Sequence, residues 1–580
     1  MALPTLSRPF FRGRAPFSAY DVPVAAGILA LAAITVHVGS RMAAPAVPET
    51  LTIDLSPWSV PYYALRSTAR MFLAYFAALA FTFTYGSIAA HSRRAERVLM
   101  PLLDILQSIP VLGFLSATIG AFIALFPGSV LGMELASIFA IFTSQAWNMA
   151  FSFFQSVRAI PRDLIESAAI HRLTPFQRFA RLEVPYAMNG LVWNSMVSFG
   201  GGWFFLAASE AITVLGQDIR LPGLGSYLAT AVQAGDFGAI GIAIGTTVLV
   251  VVGVDFLFFR PFLAWAQKFS TSGALDEDCE SSILTAIQRS RLVEFLGERV
   301  ATPVTDLFVN RIPARLAARR VRTAAAGTPW LRTYGTRVFL AAAGALILWH
   351  GVRGATALVA GIDASDVTDV LLAGLATLAR VLATVAIASI VWVPIGTFIG
   401  ARPGLARRIR PIIQLGAAFP ANLVFPLLVL AFVRVGVDLS WGSVLLMLLA
   451  TQWYVLFNVI VGVMSVPQDL LEVGRVFRLS RWQRFRRVTA PVLLPFWVTG
   501  ALTAAGGAWN ASIVAEVARV GDSELFTFGL GSYMAQATIA GDWPGIVLSI
   551  VTMAAFVVAT NRLLWRRLYV YAEEHLGREE

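Results

Sequence analysis

Four ionisable residues stand in or beside long apolar stretches of this sequence: Arg70, Arg380, Glu210 and Glu516. An ionisable side chain at membrane depth is costly and often belongs to an ion or substrate path. On that interpretation the four residues line a vestibule or gate for an anion. The structural alternative is open for each of them. An arginine near a span end can extend its charged head toward water, and a glutamate can cap the amides of a following glycine-rich turn.

Polar and aromatic residues precede the two glutamates. Asn194 and Ser198 come just before a run, GGGW, that ends at Trp203, and a matching run, GGAW, ends at Trp509. Glycines at such positions let helices approach closely, and they can also leave room for a solute. The tryptophans either line that cavity or pack in the protein core. These residues are therefore candidates for a substrate path.

The sequence offers no catalytic, metal or nucleotide site. A phosphate-binding loop needs a lysine in the pattern G-x-x-x-x-G-K-[ST], and the single lysine, Lys268, lacks those glycines. The five histidines are scattered without metal-ligand spacing, and Cys279 is the only cysteine, so no intrachain disulfide is possible. Basic loops without clustered aromatic residues give no reason to expect nucleic acid. We expect no cofactor in this chain.

The composition indicates which elements must position these residues. Of 580 residues, 57% are hydrophobic and only 14% are charged, with a mean hydropathy of +0.71. Soluble proteins carry about a quarter charged residues, so a soluble enzyme and a disordered chain are excluded. A helical span needs ~20 residues. The sequence thus predicts an all-α polytopic membrane protein with about twelve transmembrane helices.

The distribution of arginine predicts the orientation. Basic loops lie on the cytoplasmic side, which places the basic amino terminus, residues 91–97 and residues 158–187 inside. An apolar run over about 24–40 is interpreted as a retained first span rather than a signal peptide. Polar residues 267–335 predict a cytoplasmic linker with one or two amphipathic surface helices. The net charge of +11 reflects these loops.

An internal repeat divides the chain into a first unit (1–266), the linker (267–335) and a second unit (336–580). Six spans in each unit predict parallel repeats with both termini cytoplasmic. Asn194, Ser195 and Ser198 correspond to Gly500, Ala501 and Ala504, so we expect a cavity that is polar on one side only. Three pairs match at an offset of 310 residues: Arg70/Arg380, Gly86/Gly396 and Pro110/Pro420. From Trp147 onward the offset is 306, in Trp147/Trp453, Glu166/Glu472, Trp203/Trp509, Glu210/Glu516 and the GLGSY runs at 223–227 and 529–533.

One cytoplasmic segment recurs in both units, as IPRDLIESAAIHRLTPFQRFARLEVP ending at Pro185 and VPQDLLEVGRVFRLSRWQRFRRVTAP ending at Pro491. Each copy contains a capping box, Thr-x-x-Gln or Ser-x-x-Gln, which predicts two short helices with a break near Leu173 and Leu479. A single amphipathic loop could simply pack on its own span ends. Because it occurs twice at corresponding sites, we interpret it as a docking element for a symmetric partner.

This segment resembles the EAA motif of ABC importer permeases. Over nearly all of both units the sequence is similar to the nitrate, sulfonate, taurine and bicarbonate group, and to its duplicated branch. The resemblance implies the type I importer permease fold, a coupling helix seated in a groove of a separate ATPase, and an external substrate-binding protein. The coupling residues it implies are Glu166, Ala169, Arg172, Phe176, Phe179, Pro185, Glu472, Arg478, Trp482, Phe485 and Pro491.

The resemblance further implies two ATPase domains that hold ATP and magnesium, a bacterial inner-membrane location within the lipid bilayer, and a small anion as substrate. Nitrate, a sulfonate, bicarbonate or an organic anion fits equally well. A secondary transporter with two parallel six-helix halves is the alternative function, and a membrane scaffold is a third. The facilitator-type glycine–aspartate–arginine signature is missing between the second and third spans, which favours the importer.

One departure from the family pattern concerns the break between the two short helices. Where the family carries glycine, this chain carries Arg172 and Arg478. Glycine permits a left-handed turn that other residues adopt at a cost. We therefore expect the break to shift one or two residues later, to the capping box.

Overall fold

The structure is a computed structural model. It describes residues 52–108, 129–214, 217–269, 281–311, 361–520 and 523–576, together with 20–27, 29, 111, 115, 118, 121, 122, 124–127, 349 and 353. Most of the predicted first span of each unit lies outside the described residues, so both spans stay predictions. Below, half one denotes the described residues up to 269 and half two those from 361 onward.

Half one is built from long apolar helices, with short helices and one hairpin between them. Its elements are α1 (Val60–His91), α2 (Arg93–Ser108), α3 (Val130–Arg158), α4 (Arg162–Ile170), α5 (Pro175–Arg178), α6 (Val184–Glu210), β1 (Ala211–Val214), β2 (Gln217–Arg220), α7 (Leu224–Gln233), α8 (Phe237–Val254) and α9 (Arg260–Ala266). Single π-helical turns join α5 to α6 at Phe179–Glu183 and α8 to α9 at Asp255–Phe259.

Half two repeats this order. A linker of short helices precedes it, α10 (Ser282–Arg289), α11 (Arg291–Leu296) and α12 (Thr302–Thr305). Half two itself contains α13 (Ala364–Gly400), α14 (Pro403–Ala418), α15 (Phe425–Val435), α16 (Leu439–Met464), α17 (Gln468–Val476), α18 (Arg481–Arg484), α19 (Ala490–Ala515), β3 (Val517–Val520), β4 (Ser523–Phe526), α20 (Leu530–Ala540), α21 (Trp543–Thr560) and α22 (Arg566–Leu576).

Eight continuous helical segments of the described chain are long and apolar enough to cross a membrane. They correspond to the predicted second, fourth, fifth and sixth spans of each half. Twelve spans are not confirmed, because both predicted first spans and much of the third span of half one lie outside the described residues. The predicted third span of half two is a broken helix, α14 followed by α15. The eight segments are Pro57–His91, Val130–Arg158, Pro175–Glu210, Phe237–Phe269, Ala364–Gly400, Leu439–Met464, Arg481–Ala515 and Trp543–Ala572.

The predicted basic loop at 91–97 is mostly helical, which corrects the sequence interpretation, and the matching arginine-rich stretch of half two is helical too. Residues 93–97 and 403–410 form the first turns of α2 and α14, and the chain breaks at Ser92 and at residues 401–402. The Ser92 hydroxyl accepts a hydrogen bond from the Ala95 amide at 3.3 Å. Pro403 stands in the first turn of α14, where its fixed φ suits the helix. Both helices therefore start directly after α1 and α13.

Each half has its own buried core between three long helices. In half one, α1, α3 and α6 bury Met71, Tyr75, Ile141, Phe199 and Trp203. In half two, α13, α16 and α19 bury an equivalent set that includes Val385, Met447 and Trp509. The close helix contacts rely on small residues, as expected where lipid supplies no hydrophobic drive between helices.

A two-stranded antiparallel hairpin follows the long α6 and α19 helices in each half. Ala211 pairs with Arg220 in half one, and Val517 pairs with Phe526 in half two. In half one, the stretch between α6 and α8 also contains helix α7. Below, the hairpin end of the molecule carries these strands, and the loop end carries α4–α5 and α17–α18.

The halves meet along a surface that we call the seam. Near its middle, Trp193 of α6 stacks on Phe457 of α16 with ring centroids 6.3 Å apart. Nearer the hairpin end, the Asn422 side-chain amide donates to the Phe204 carbonyl at 3.1 Å. The two halves therefore form one packed unit with a defined boundary.

Candidate functional site

The predicted break within each repeated cytoplasmic segment falls at the arginine, and the expected shift is wrong. Arg172 has φ of +50° and Arg478 has φ of +47°. Among the described non-glycine residues, only these two have positive φ. Both arginines adopt the left-handed conformation that the family assigns to glycine, at a cost of roughly 1–2 kcal/mol each.

The backbone hydrogen bonds explain why the arginine accepts that conformation. The Leu173 amide donates to the Ala168 carbonyl at 3.1 Å, and the Arg172 amide donates to the Ala169 carbonyl at 2.9 Å. This pair of bonds is the Schellman arrangement that satisfies the last carbonyls of a helix. In half two, Leu479 and Arg478 donate to Gly474 and Arg475 in the same way. The turn is therefore determined by helix-end hydrogen bonding rather than by glycine.

The predicted capping boxes are confirmed in both segments. The Thr174 hydroxyl accepts from the Gln177 amide at 3.3 Å, and the Gln177 side chain accepts from the Thr174 amide at 2.9 Å. Ser480 and Gln483 make the same reciprocal bonds. Each second helix then continues through a π-turn into the next span, with Pro185 or Pro491 in its first turn. The break and the start of the span are thus rigidly connected.

Apolar side chains project from the tip of each segment. Phe176 is 45% exposed and Trp482 is 68% exposed. Ile170 and Val476, at the ends of α4 and α17, are both 79% exposed. The sequence interpretation missed the last two, although their apolar character beside a helix break was a readable signal. Glu166, Ala169 and Glu472 are also exposed on these segments.

Phe179 and Phe485 point the other way. Phe179 packs against the core of half one, 5.6 Å from Phe83 between ring centroids. Phe485 packs against the core of half two. Of the predicted coupling aromatic residues, Phe176 and Trp482 therefore point outward. Phe179 and Phe485 attach each segment to its own helix bundle.

The half-one segment has additional contacts that the half-two segment lacks at the matching positions. Glu183 is buried, and its carboxylate lies 2.8 Å from both His91 Nε2 and Arg178 Nε. Thr489 and Ala401 stand at the positions that match Glu183 and His91. The two segments therefore share a backbone shape but differ in how firmly they are attached.

The four ionisable residues singled out from the sequence form two buried clusters at the hairpin end. In half one, Arg70 is fully buried and donates to Glu210 at 2.7 Å and to both oxygens of Glu134 at 2.6 and 2.7 Å. Arg66 also pairs with Glu134. Two arginines thus face two carboxylates, and their formal charges cancel.

Glu210 also caps the short helix α7. Its second oxygen accepts from the Gly225 amide at 2.7 Å, while Ser67 bridges the Glu210 carboxylate and the Leu224 amide. A carboxylate at a helix amino terminus satisfies unpaired amides and interacts well with the helix dipole. The geometry therefore favours the structural alternative for this residue.

Half two repeats the arrangement with one carboxylate fewer. Arg380 donates to Glu516 at 2.8 Å, and Glu516 accepts from the Gly531 amide at 2.8 Å. Thr377 takes the bridging place of Ser67. The second guanidinium nitrogen of Arg380 donates to the Thr527 hydroxyl. The sequence interpretation missed Glu134, whose signal was a lone acid in an apolar span.

The remaining predicted path residues are turned inward. Trp203 and Trp509 are each only 2% exposed and lie in the cores of their halves. Ser198 is 3% exposed, and the Asn194 side chain donates to Ser152 at 3.1 Å within half one. In the part of the chain that the structure describes, no group of His, Cys, Asp and Glu residues is arranged to hold a metal ion.

Comparison with known proteins places these features in a family. The family model described as binding-protein-dependent transport system inner membrane component matches residues 82–260 and again 392–576. A nitrate import permease protein of Leptolyngbya laminosa is 28% identical over 189 residues, which cover 33% of this chain and 64% of that protein. A bicarbonate transport system permease protein of Synechocystis is 29% identical over 201 residues, covering 34% and 66%.

A riboflavin transport system permease protein of Chloroflexus aurantiacus is 30% identical over 152 residues, which cover 26% of this chain and 52% of that protein. The chain thus covers less than two thirds of the length of each of these three relatives.

The buried cluster of half one yields a prediction on stability. Arg70→Gln leaves the carboxylates of Glu134 and Glu210 short of their shared partner, and breaking a buried pair in this way costs about 3–5 kcal/mol. Arg434→Gln, at an exposed site on α15, should change stability by about 0.5 kcal/mol or less. Thermal unfolding of the detergent-purified protein measures both. An unchanged Tm for Arg70→Gln would show that this cluster does not hold α1 to α3 and α6.

The left-handed arginines yield a second prediction. Arg172→Gly removes the strain and should keep the hydrogen-bonded turn at the break. Arg172→Val should weaken that turn, because a β-branched residue tolerates positive φ poorly. Amide hydrogen exchange at Leu173 reports the break directly, since that amide donates to Ala168. We expect slower exchange than wild type in the glycine variant and faster exchange in the valine variant. The reverse order would contradict the assignment.

Proposed function

This chain belongs to the family of binding-protein-dependent transport system inner membrane components, and from that membership we propose that it is the permease subunit of an ABC importer for a small anion. A single chain supplies both membrane halves of the transporter. The observation that carries the proposal is the duplicated helix–break–helix segment, with the same hydrogen bonds and outward aromatic residue in each half.

The two segments act as coupling elements in this proposal. Each tip presents apolar side chains, Ile170 with Phe176 and Val476 with Trp482, to an ATPase groove. Buried apolar anchors usually carry most of the energy of an interface. The continuous helical path from each tip into α6 or α19 can transmit movement of the ATPase to the seam. Phe179 and Phe485 make this path stiff, because they pack the segment against the core.

The proposed assembly contains this chain, two ATPase domains and an external substrate-binding protein. ATP and magnesium bind to the ATPase and not to this chain. The loop end then faces the cytoplasm, together with both termini, in a bacterial inner membrane. The binding protein delivers its solute at the hairpin end. Nitrate and bicarbonate permeases among the relatives support an anion as the substrate class.

The experiment that tests this proposal is purification of the tagged chain from its native membranes. We expect an ABC ATPase to copurify, with one permease chain for every two ATPase domains by mass measurement. In vesicles, the hydrolysis rate should rise when a loaded binding protein is added outside. A purified chain without an ATPase that exchanges solute along an ion gradient would instead support the secondary transporter.

The coupling interpretation predicts the effect of removing both outward aromatic residues. Phe176→Ala combined with Trp482→Ala should weaken ATPase association by ~2 kcal/mol or more, or uncouple hydrolysis from uptake. Pull-down of the ATPase, together with uptake and hydrolysis in reconstituted vesicles, gives the measurement.

The matched control is Arg481→Ala, an exposed residue beside Trp482, which should be mild because rim charges add little. Arg178 is unsuitable as a control, since it contacts buried Glu183. Normal ATPase binding and normal uptake in the double aromatic variant would remove the coupling role from these segments.

A further inference from the structure

A polar stripe runs along α19 of half two. Thr499, Thr503, Gly506 and Asn510 follow one another at intervals of four, three and four residues, so they share one face of the helix. The first three are exposed and Asn510 is partly exposed. An exposed polar stripe on a membrane helix is costly if it faces lipid. The role of the stripe therefore depends on whether it faces lipid or the other half of the protein.

The contacts of α19 turn this stripe toward half one. One turn beyond Asn510, Ile513 packs against a buried cluster of half one that includes Val111 and Ala136. The Asn510 side-chain oxygen accepts from the Val111 amide of half one at 2.9 Å. These contacts close the hairpin end of the stripe, whereas Thr499 and Thr503 lie toward the loop end.

The other faces of α19 are occupied within half two. Gly500 and Gly507 lie against α16 residues that include Tyr454, and Trp509 stacks on Phe556 of α21. Among the described residues, a side chain added at Gly506 would meet no atom within 4 Å. No described part of the chain therefore covers the stripe at Gly506.

The corresponding face of α6 is apolar. Each stripe residue has an equivalent in the first repeat, 306 residues earlier. The four pairs are Trp193/Thr499, Val197/Thr503, Gly200/Gly506 and Phe204/Asn510. Gly200 lies against Ala418 of α14, and Trp193 stacks on Phe457. The seam is thus polar on one side only. That side is half two, not the half-one residues Asn194, Ser195 and Ser198 that the sequence suggested.

We propose that Thr499, Thr503 and Asn510 form the surface that contacts the transported solute, and that a small oxyanion is held there by neutral hydrogen-bond donors. This inference rests on the proposed function and identifies its substrate contacts. Arg70 and Arg380 do not provide these substrate contacts, because both are bound to glutamates at the hairpin end.

The donors have the hydrogen-bonding capacity that this role needs. The threonine hydroxyls donate to the Pro495 and Thr499 carbonyls at 2.9 and 2.8 Å, and a hydroxyl can rotate to a new acceptor. The Asn510 amide has two hydrogens and donates to the Gly506 carbonyl at 3.2 Å. Neutral donors of this kind hold an anion weakly, which suits a path that must release its solute.

Cysteine accessibility tests the stripe without depending on transport. In a Cys279→Ser background, Thr503→Cys should react with a water-soluble, anionic methanethiosulfonate reagent. Val551→Cys is the matched control, because that residue is 60% exposed on apolar α21 and should face lipid. Val498→Cys, fully buried on α19, is the second control. Labelling of Thr503→Cys alone supports an aqueous seam, and equal labelling of Thr503→Cys and Val551→Cys overturns it.

Uptake of nitrate and of bicarbonate tests the hydrogen bonds themselves. Thr499→Val with Thr503→Val keeps the shape of the stripe and removes two donors. The KM for uptake should rise about fivefold or more, the worth of one net hydrogen bond, with ATPase association unchanged. Ser195→Ala with Ser198→Ala, in the buried part of half one, should leave KM unchanged.

The outcomes separate the two proposals. An unchanged KM in the threonine variant, with working wild-type uptake, rejects the stripe and leaves the importer intact. If the wild-type chain copurifies with no ATPase and takes up neither anion, the proposed function fails, and the stripe fails as a substrate surface with it.

Discussion

In each half, a buried carboxylate at the carboxyl end of α6 or α19 holds the hairpin end together. Glu210 binds an arginine of α1, and Glu516 binds an arginine of α13. Each glutamate also binds a bridging hydroxyl and an amide at the start of the next short helix. One side chain thus fixes the relative position of three elements. Unpaired, such a carboxylate would carry a desolvation penalty of several kcal/mol. The hairpins, the short helices and the closed end of the seam all depend on this pairing.

The repeat made much of this architecture predictable. Residues that occur rarely by chance, such as Glu166/Glu472 and Trp203/Trp509, established two equivalent halves. The capping boxes at Thr174 and Ser480 located two short helices within a residue or two, because their chemistry is local. Arg70 and Glu210 could be singled out as costly residues. Their pairing could not, since no local pattern tells which side chains meet across separate helices.

Other features depended on tertiary context. Glycine preference alone predicted a shifted break, yet two Schellman hydrogen bonds keep Arg172 in a left-handed conformation. The sequence predicted six spans in half two, whereas residues 403–435, where the third of them was expected, form two helices around a break. Ser198 and Asn510 both lie on the long helices α6 and α19. Only the packing reveals that the first faces its own bundle and the second faces the other half.

The covalent joining of the halves bears on how such a protein can diverge. A symmetric homodimer must accept every substitution twice, once in each copy, so a useful change on one side of its interface is also imposed on the other. Here Trp193 and Thr499, or Phe204 and Asn510, occupy matching places and differ freely. At the loop end, side chains such as Glu183 and Thr489 also differ. The backbone there has not diverged, since φ at Arg172 and at Arg478 agrees to within a few degrees. Duplication followed by fusion thus allows the inner faces to diverge while the backbone of the two loop ends stays alike.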